Sequence, residues 1–211
     1  QEDPATQRRQ REEEARARRD RERVETRRLA SEEAAQKSEL CEQKGEGPVC
    51  LAAANLQLGG DLPDAAEVRH GRAAALLDKG CQAGHCESCA RLESLPFVTN
   101  EQVAKVRQLG QPICEAECRA RTAPGPVSND GQDACLVAGS WLVRPTSSIK
   151  ELTRAVALLE KSCATNGYGC EALGRLFTIV EFAPKEEPRL AAFLKQRCEA
   201  LREWGEKEFG Q

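Results

Sequence analysis

The spacing of the cysteines constrains the fold of this chain more than any other feature of its sequence. The chain has 211 residues and 11 cysteines, most of which fall into two series with a common phase. Members of the first series lie 40, 37, 45 and 35 residues apart: Cys41, Cys81, Cys118, Cys163 and Cys198. Members of the second series lie 39, 46 and 35 residues apart: Cys50, Cys89, Cys135 and Cys170. Periods of this length, with two helices per unit, are typical of α-solenoids.

The residues around these cysteines repeat as well. The segment 72–81, RAAALLDKGC, matches the segment 154–163, RAVALLEKSC, at seven of ten positions. Each cysteine of the second series opens another short helical segment, and the residue four places later is small in Ala54, Gly139 and Gly174. A small residue at this position allows the two helices of a hairpin to approach closely. Glu93 breaks the pattern in the second unit.

The first 44 residues differ from the rest of the chain. They contain 12 Lys or Arg, 12 Asp or Glu and almost no large apolar side chain. No Gly or Pro interrupts residues 7–33, and Glu12 with Arg16 is one of several pairs spaced to support a helix. A segment that is polar all round is either a solvent-exposed rod or a disordered tail, and we favour a rod of about 50 Å. We therefore place a charged helical arm at residues 1–29 and a repeat domain at residues 30–211.

The balance of charges disfavours some classes of partner. Lys and Arg total 31 and Asp and Glu total 34, which gives a net charge of −3. Because nucleic-acid-binding domains carry a net basic surface, we expect no nucleic-acid partner. No apolar run approaches the roughly 20 residues of a spanning helix, so the sequence also predicts no transmembrane segment.

The repeated segments resemble the Sel1-like repeats, a family related to the tetratricopeptide repeats, and in particular its cysteine-rich bacterial branch. The segments that carry the resemblance are AVALLEKSC at 155–163 and CEALG at 170–174. The resemblance covers roughly residues 30–204, strongly in two units and loosely elsewhere. It implies an all-α fold: an α-solenoid of about four disulfide-linked helical hairpins, preceded here by the long charged N-terminal helix.

The resemblance also implies a pairing of cysteines, in which a disulfide joins the second helix of one repeat to the first helix of the next. Carried onto this sequence, the implied pairs are Cys41–Cys50, Cys81–Cys89, Cys118–Cys135 and Cys163–Cys170. Their role would be structural, because covalent links replace core area that a chain with only 2 Trp, 1 Tyr and 5 Phe lacks.

Three cysteines fall outside this pairing. Cys114 is either a buried free thiol or the partner of Cys86, since the helix that begins near Cys86 should run antiparallel to the one that contains Cys114. Cys198 ends the last repeat with no following helix, so it is either unpaired or a point of contact with another chain.

Other chemistries are weaker interpretations of the same residues. The segment CQAGHCESC at 81–89 offers a Cys-x-x-Cys, a further Cys and His85 as a tetrahedral zinc set, but no second Cys-x-x-Cys accompanies it. Ala90 follows where c-type haem attachment requires His. His70 and His85 are the only histidines, and neither lies in a nucleophile motif. We therefore expect no metal, no cofactor and no enzymatic activity.

The resemblance implies a protein-interaction adaptor or scaffold, with a protein or peptide partner on the concave face. Candidate contacts, five residues after their opening cysteines, are Asn55, Ser140 and Arg175. Trp204 is either an exposed anchor or the closure of the last repeat. An alternative is a structural subunit whose N-terminal rod contacts its neighbours. Some members of the branch have been described as weak penicillin-binding or β-lactamase-like proteins, but no matching catalytic motif is found here.

The cysteines and the resemblance both favour an oxidising compartment, so we expect a periplasmic or extracellular protein. Because the chain starts at Gln1 rather than Met, we also expect that an export signal has been removed. An upstream lipidated residue that anchors the chain to the outer membrane is compatible with the same expectation.

Overall fold

The computed structural model describes residues 4–59, 62–120, 133–144, 146–166 and 168–176, together with the single positions 188, 192, 196 and 199. Within these ranges the chain is all-helical, as predicted, and contains no strand. The helices are α1 (Pro4–Lys44), α2 (Gly47–Leu58), α3 (Ala66–Gln82), α4 (Cys86–Glu93), α5 (Asn100–Ala120), α6 (Ala134–Leu142), α7 (Ile149–Asn166) and α8 (Tyr168–Leu176). Contacts between Cα atoms divide the chain into two compact units: unit 1, Gln1–Ala83, and unit 2, Gly84–Gln211.

Helix α1 joins the charged arm to the first repeat without a break. It has 41 residues, which corresponds to about 60 Å at 1.5 Å per residue, and the boundary placed at residues 29 and 30 falls in its middle. Ion pairs within the helix support the exposed part, as where Arg28 bridges Glu25 at 2.7 Å and Glu32 at 2.6 Å. Gly45, at a φ of 66°, ends α1 and donates its N–H to the Cys41 carbonyl.

Unit 1 is a packing of three helices, in which α1 contacts α2, α2 contacts α3, and α1 also contacts α3. Its buried apolar side chains are mostly small: Ala34, Cys41, Cys50, Ala53, Ala54, Ala73, Leu76, Leu77 and Cys81. Such side chains bury little area each, so the interior of this unit is thin.

Unit 2 contains α4 to α8, and each of these helices contacts the next along the chain. Helix α6 also contacts α4 and α8. The interior is built from larger side chains than that of unit 1. One cluster of buried residues comprises Leu152, Val156, Leu159, Cys163, Leu173 and Leu176.

Three helices of unit 2 begin with side-chain caps that the sequence analysis did not identify. Thr99 and Gln102 exchange hydrogen bonds at the start of α5, and Ser148 and Glu151 do so at the start of α7. Both pairs are capping boxes. The hydrogen bonds from Ser148 lower the pKa of Glu151. Asp133 caps α6 by accepting from two backbone N–H groups.

Close helix contact explains one of the small residues of the repeat but not another. A Cβ at Gly139 would lie 2.6 Å from Cγ of Leu159, so α6 and α7 require glycine there for this approach. Ala54, the equivalent residue of unit 1, is fully buried. At Gly174 a Cβ would meet no described atom within 4 Å, so the close-approach argument does not apply to it within the described residues.

Disulfides link the helices within each unit. The structure pairs Cys41 with Cys50, Cys118 with Cys135, Cys163 with Cys170, and Cys86 with Cys114. The interpretation of Cys114 as a free thiol is therefore wrong. Cys81 and Cys89 are disulfide-bonded as well.

Three of these pairs, each of which joins a cysteine of the first series to one of the second, share one local geometry. The second sulfur of each pair lies close to the carbonyl oxygen of the first cysteine, at 3.9, 3.8 and 3.9 Å for Cys50, Cys135 and Cys170. The same link therefore recurs with the same stereochemistry in different repeats.

Among the described helices, none is both long enough and apolar enough to span a bilayer.

Candidate functional site

A cleft of about 580 Å³ lies in unit 1 between α1 and α3. The end of α2 and the segment before α3 complete it. Its lining residues are Ser31, Ala34, Ala35, Ser38, Glu42, Gln57, Leu62, Asp64, Arg72, Ala75, Leu76 and Lys79. The size is within the range of ligand-binding clefts.

Two polar contacts frame this cleft at its ends. At one end the Nζ of Lys79 donates to the carbonyl oxygen of Glu42 at 2.7 Å, which satisfies an acceptor in the last turn of α1. At the other end Arg72 pairs with Asp64. In both contacts the charged side chain of α3 is bound by another part of the protein, so these contacts help to fix the shape of the cleft.

Gln57 is the unusual member of the lining. Its side chain is only 4% exposed, yet its Oε1 has no hydrogen-bond partner in the structure. Leaving a buried polar atom unsatisfied costs about 1–3 kcal/mol. Because Gln57 also lines the cleft, rotation of its carboxamide toward a bound molecule would supply the missing hydrogen bond.

A second cleft, of about 740 Å³, lies in unit 2 between α5 and α7, with the end of α6 as its base. Its lining residues are Asn100, Val103, Ala104, Arg107, Gln108, Gln111, Pro112, Trp141, Leu142, Arg144, Glu151 and Arg154. The helices that form its walls end in first-series cysteines, as do those of the unit 1 cleft.

The two clefts occupy the same place in the repeat. When positions are counted from the nearest series cysteine, five lining positions are shared: Ser31 with Gln108, Ala34 with Gln111, Ala35 with Pro112, Gln57 with Leu142, and Arg72 with Arg154. The lysine contact is also repeated, since Lys161 donates to the carbonyl oxygen of Cys118 at 2.6 Å. The two clefts therefore share five lining positions when they are counted from the cysteines.

Two lining residues of the unit 2 cleft bind a buried carboxylate that lies beside it. Glu115, which is 2% exposed, lies at the position of Ser38 in unit 1 and pairs with Arg154. Gln111 donates to Glu115 at 2.7 Å and to the carbonyl oxygen of Ala138 at 3.0 Å. These bonds leave the buried polar groups of this cleft with partners from the protein.

Glu93 explains why the second unit departs from the small-residue pattern. Its carboxylate accepts from Arg107 at 2.7 Å and also from the indole N–H of Trp141. Trp141 is 6% exposed, and a Cβ at Gly110 would lie 2.8 Å from its ring. The large acidic residue therefore anchors Trp141 at the base of the unit 2 cleft.

The histidines form no accessible catalytic pair. Nδ1 of His85 lies 2.9 Å from Oγ of Ser88, a contact that the sequence analysis missed. Burial lowers the pKa of His85, opposed by the negative charge of Glu117. Since Ser88 is fully buried, its hydroxyl is inaccessible to a substrate. His70 lies in α3 and lines neither cleft.

The contacts expected on a concave face lie elsewhere than the clefts. Asn55 and Ser140 are exposed residues of α2 and α6, and neither lines a cleft. Arg175 belongs to α8, and its side chain lies outside the described residues, as do Cys198, Trp204 and the expected loop at 123–131.

The described part of the chain contains no cluster of three or more His, Cys, Asp or Glu arranged to hold a metal ion. The zinc alternative for the segment 81–89 fails for a direct reason. Cys81, Cys86 and Cys89 are all in disulfides, and zinc coordination requires the thiolate.

Sequence reasoning missed Gln57, although a signal for it exists. It stands seven residues after Cys50, where the equivalent residue after Cys135 is the apolar Leu142. A polar residue at a position that is buried and apolar in another repeat indicates a site with a different role.

The two clefts are accordingly the candidate sites, and the unit 1 cleft is the one with an unsatisfied polar group. Both are lined by apolar residues together with charged ones. Comparison of the chain with family models, with curated proteins and with solved structures found no match.

Proposed function

We propose that this chain is a non-enzymatic protein-interaction adaptor or scaffold of the cell envelope or extracellular space, built as a short solenoid of disulfide-stapled Sel1-like hairpins. The contacts within each unit support the solenoid. Helices there contact the next helix along the chain, and α1, α4 and α6 also contact the second next. This is the contact pattern of stacked helical hairpins.

The observation that carries the proposal is the recurrence of one cleft at the same repeat positions in unit 1 and unit 2. Solenoid proteins use surfaces built from successive repeats to bind extended partners. Each cleft here has an apolar part and a rim of charged and polar side chains, which suits a polypeptide better than a small charged substrate.

The disulfides support the proposed compartment. Ten of the cysteines are disulfide-bonded, and disulfides persist in oxidising environments such as the periplasm and the extracellular space. A partner would therefore be another envelope or secreted protein.

Selection from a random heptapeptide display library tests the proposal. The target is the oxidised full chain, and the counter-target is the same chain reduced and alkylated. We expect related peptides to be enriched on the oxidised chain and to be lost on the counter-target, because the staples hold the clefts in shape. Absence of enrichment on the oxidised chain would reject the adaptor function.

A structural subunit of a larger envelope assembly is a second candidate, favoured by the exposure of α1. Every described side chain from Arg11 to Thr26 is exposed except the partly buried Ala15, and Val24 and Leu29 are 68% and 52% exposed. Size-exclusion chromatography with light scattering would distinguish the two. Concentration-dependent oligomers that disappear with Val24→Glu would favour the structural role, and a monomer would favour the adaptor.

A further inference from the structure

The two clefts differ where a ligand would be held. In unit 2 the buried carboxylate of Glu115 has Arg154 as a partner, and Leu142 presents no polar group. In unit 1 the equivalent residues are Ser38, which is short, and Gln57, whose buried Oε1 is unsatisfied. The clefts therefore differ in their polar groups rather than in room: the first contains a buried acceptor without a donor, whereas the buried carboxylate of the second is paired.

We infer that the unit 1 cleft binds a neutral, extended segment of another polypeptide, and that a backbone N–H of this segment donates to Oε1 of Gln57. The inference rests on the proposed function, because it names the class of partner and the site that receives it. It goes further than that function in assigning the partner to one of the two clefts, the one between α1 and α3, and in naming the group that receives it.

The chemistry of Gln57 favours a peptide. A side-chain carboxamide has one acceptor oxygen and one donor nitrogen, as does a peptide group, so the two are complementary. A half-turn about the terminal torsion exchanges the two ends of the carboxamide, which allows it to read the peptide group in either direction. Ala34 and Leu76, both buried beside the cleft, offer an apolar surface for an aliphatic side chain.

The dimensions of the cleft set the length of the segment. Its α1 wall extends from Ser31 to Glu42, which is about 16 Å along a helix. An extended chain advances about 3.3 Å per residue, so about five residues fit along this wall. The volume of about 580 Å³ is consistent with a short segment rather than a whole domain.

The charges of the lining favour a neutral segment. The lining contains two acidic residues, Glu42 and Asp64, and two basic residues, Arg72 and Lys79. Their sum is zero, so neither an anionic ligand such as a phosphate nor a strongly cationic one gains net attraction. Hydrogen bonding and apolar contact remain as the sources of affinity.

The test uses the displayed heptapeptide library as the probe, on the oxidised full chain and on two variants. Gln57→Leu removes the acceptor and reproduces the residue found in unit 2. Ser38→Glu places a carboxylate at the position that Glu115 occupies in unit 2. We expect it to form an ion pair with Arg72, as Glu115 does with Arg154. We expect synthetic copies of enriched peptides to bind about tenfold more weakly to Gln57→Leu, and to lose measurable binding to Ser38→Glu.

Matched controls make the same chemical changes outside the cleft. Gln82→Leu alters an exposed glutamine at the end of α3, and Ser94→Glu alters an exposed serine after α4. Both should bind the peptides as the unaltered chain does. Circular dichroism shows whether each variant is folded, and if one of the two cleft variants does not fold, the other decides.

The outcomes separate this inference from the proposed function. Peptides that bind equally to Gln57→Leu and Ser38→Glu, and that are lost with Asn55→Arg, would overturn the inference and leave the adaptor function intact. Absence of any enriched peptide would overturn both. A dimer of the peptide-free chain that Gln57→Leu dissociates would assign the cleft to a second copy, and the inference would be wrong.

Discussion

Unit 1 and unit 2 are both built from packed helices linked by disulfides, yet the side chains buried in their interiors differ in size. Unit 1 buries alanine, cysteine and two leucines, whereas unit 2 buries a leucine-rich cluster and Trp141. The clefts differ in their polar groups. In unit 2 the buried Glu115 beside the cleft is paired with Arg154, while in unit 1 the buried Oε1 of Gln57 is unsatisfied.

This difference indicates that one repeat pattern can be stabilised in two ways. Large apolar side chains stabilise the folded state through their burial. Disulfides stabilise it by restricting the conformations of the unfolded chain. Unit 2 combines its leucine-rich cluster with three of the described disulfides. Because the interior of unit 1 is thin, we expect its Cys41–Cys50 link to matter more to unit 1 than any one link matters to unit 2.

The largest expected effect comes from the interior of unit 2. Leu159→Ala should lower the free energy of unfolding by about 4 kcal/mol, and Leu77→Ala, at the equivalent position of unit 1, by about 3 kcal/mol. Both leucines are fully buried, but Leu159 belongs to the denser cluster. Urea unfolding with the disulfides intact measures both, and Leu109→Ala, at a residue 41% exposed, is the control. An equal or reversed order would break the comparison.

The next effect concerns the disulfide of unit 1. Replacing both Cys41 and Cys50 by alanine should cost about 3 kcal/mol by the chain-entropy argument. The informative measurement is which helices lose protection from hydrogen exchange. Native-state hydrogen exchange should show protection lost across α2 and α3, whereas the double alanine variant of Cys163 and Cys170 should keep most protection in α7. Similar losses in both units would mean that unit 1 depends no more on its staple than unit 2 does.

A smaller effect is expected where α6 meets α7. Gly139→Ala should destabilise the chain by about 2 kcal/mol, because the new Cβ would lie 2.6 Å from Cγ of Leu159. Gly71→Ala in α3 is the matched control, since a Cβ there meets nothing within 4 Å, and it should stabilise the helix by about 1 kcal/mol. Thermal unfolding distinguishes the signs, and a neutral Gly139→Ala would show that this contact tolerates a larger side chain.

The smallest effect is a pH dependence of unit 2. Burial lowers the pKa of His85, so the unfolded chain binds a proton more readily than the folded chain. Stability should therefore fall as the pH decreases through about 6.5 toward the folded pKa. His85→Gln should reduce this slope in urea unfolding between pH 5 and 7.5, whereas His70→Gln in unit 1 should leave it unchanged. Identical slopes in both variants would contradict this.

Cysteine phase and helical composition were sufficient to predict an all-helical chain with a charged N-terminal helix, but not that this helix continues past residue 30 to Lys44. The capping box of Thr99 and Gln102 was missed, although its residue types and spacing are local and present in the sequence. The partner of Cys86 could not be decided from sequence, because it depends on which ends of two helices lie together.

The candidate sites were harder to predict for the same reason. Gln57 appears polar in the sequence, and a polar residue on a short helix is ordinarily exposed. Its burial follows from the packing of α1 and α3 over α2, which depends on contacts distant in sequence. The expected face at Asn55 was taken from a family pattern, and such a pattern does not reveal a cleft between the other helices.

One consequence follows from the continuity of α1. The exposed charged segment and the wall that carries Ser31 and Ser38 are parts of a single helix. A bending or twisting force applied near Arg11 would therefore be transmitted along the helix axis to the α1 wall of the cleft. A protein bound to the exposed segment would therefore act on the shape of the cleft without touching its lining.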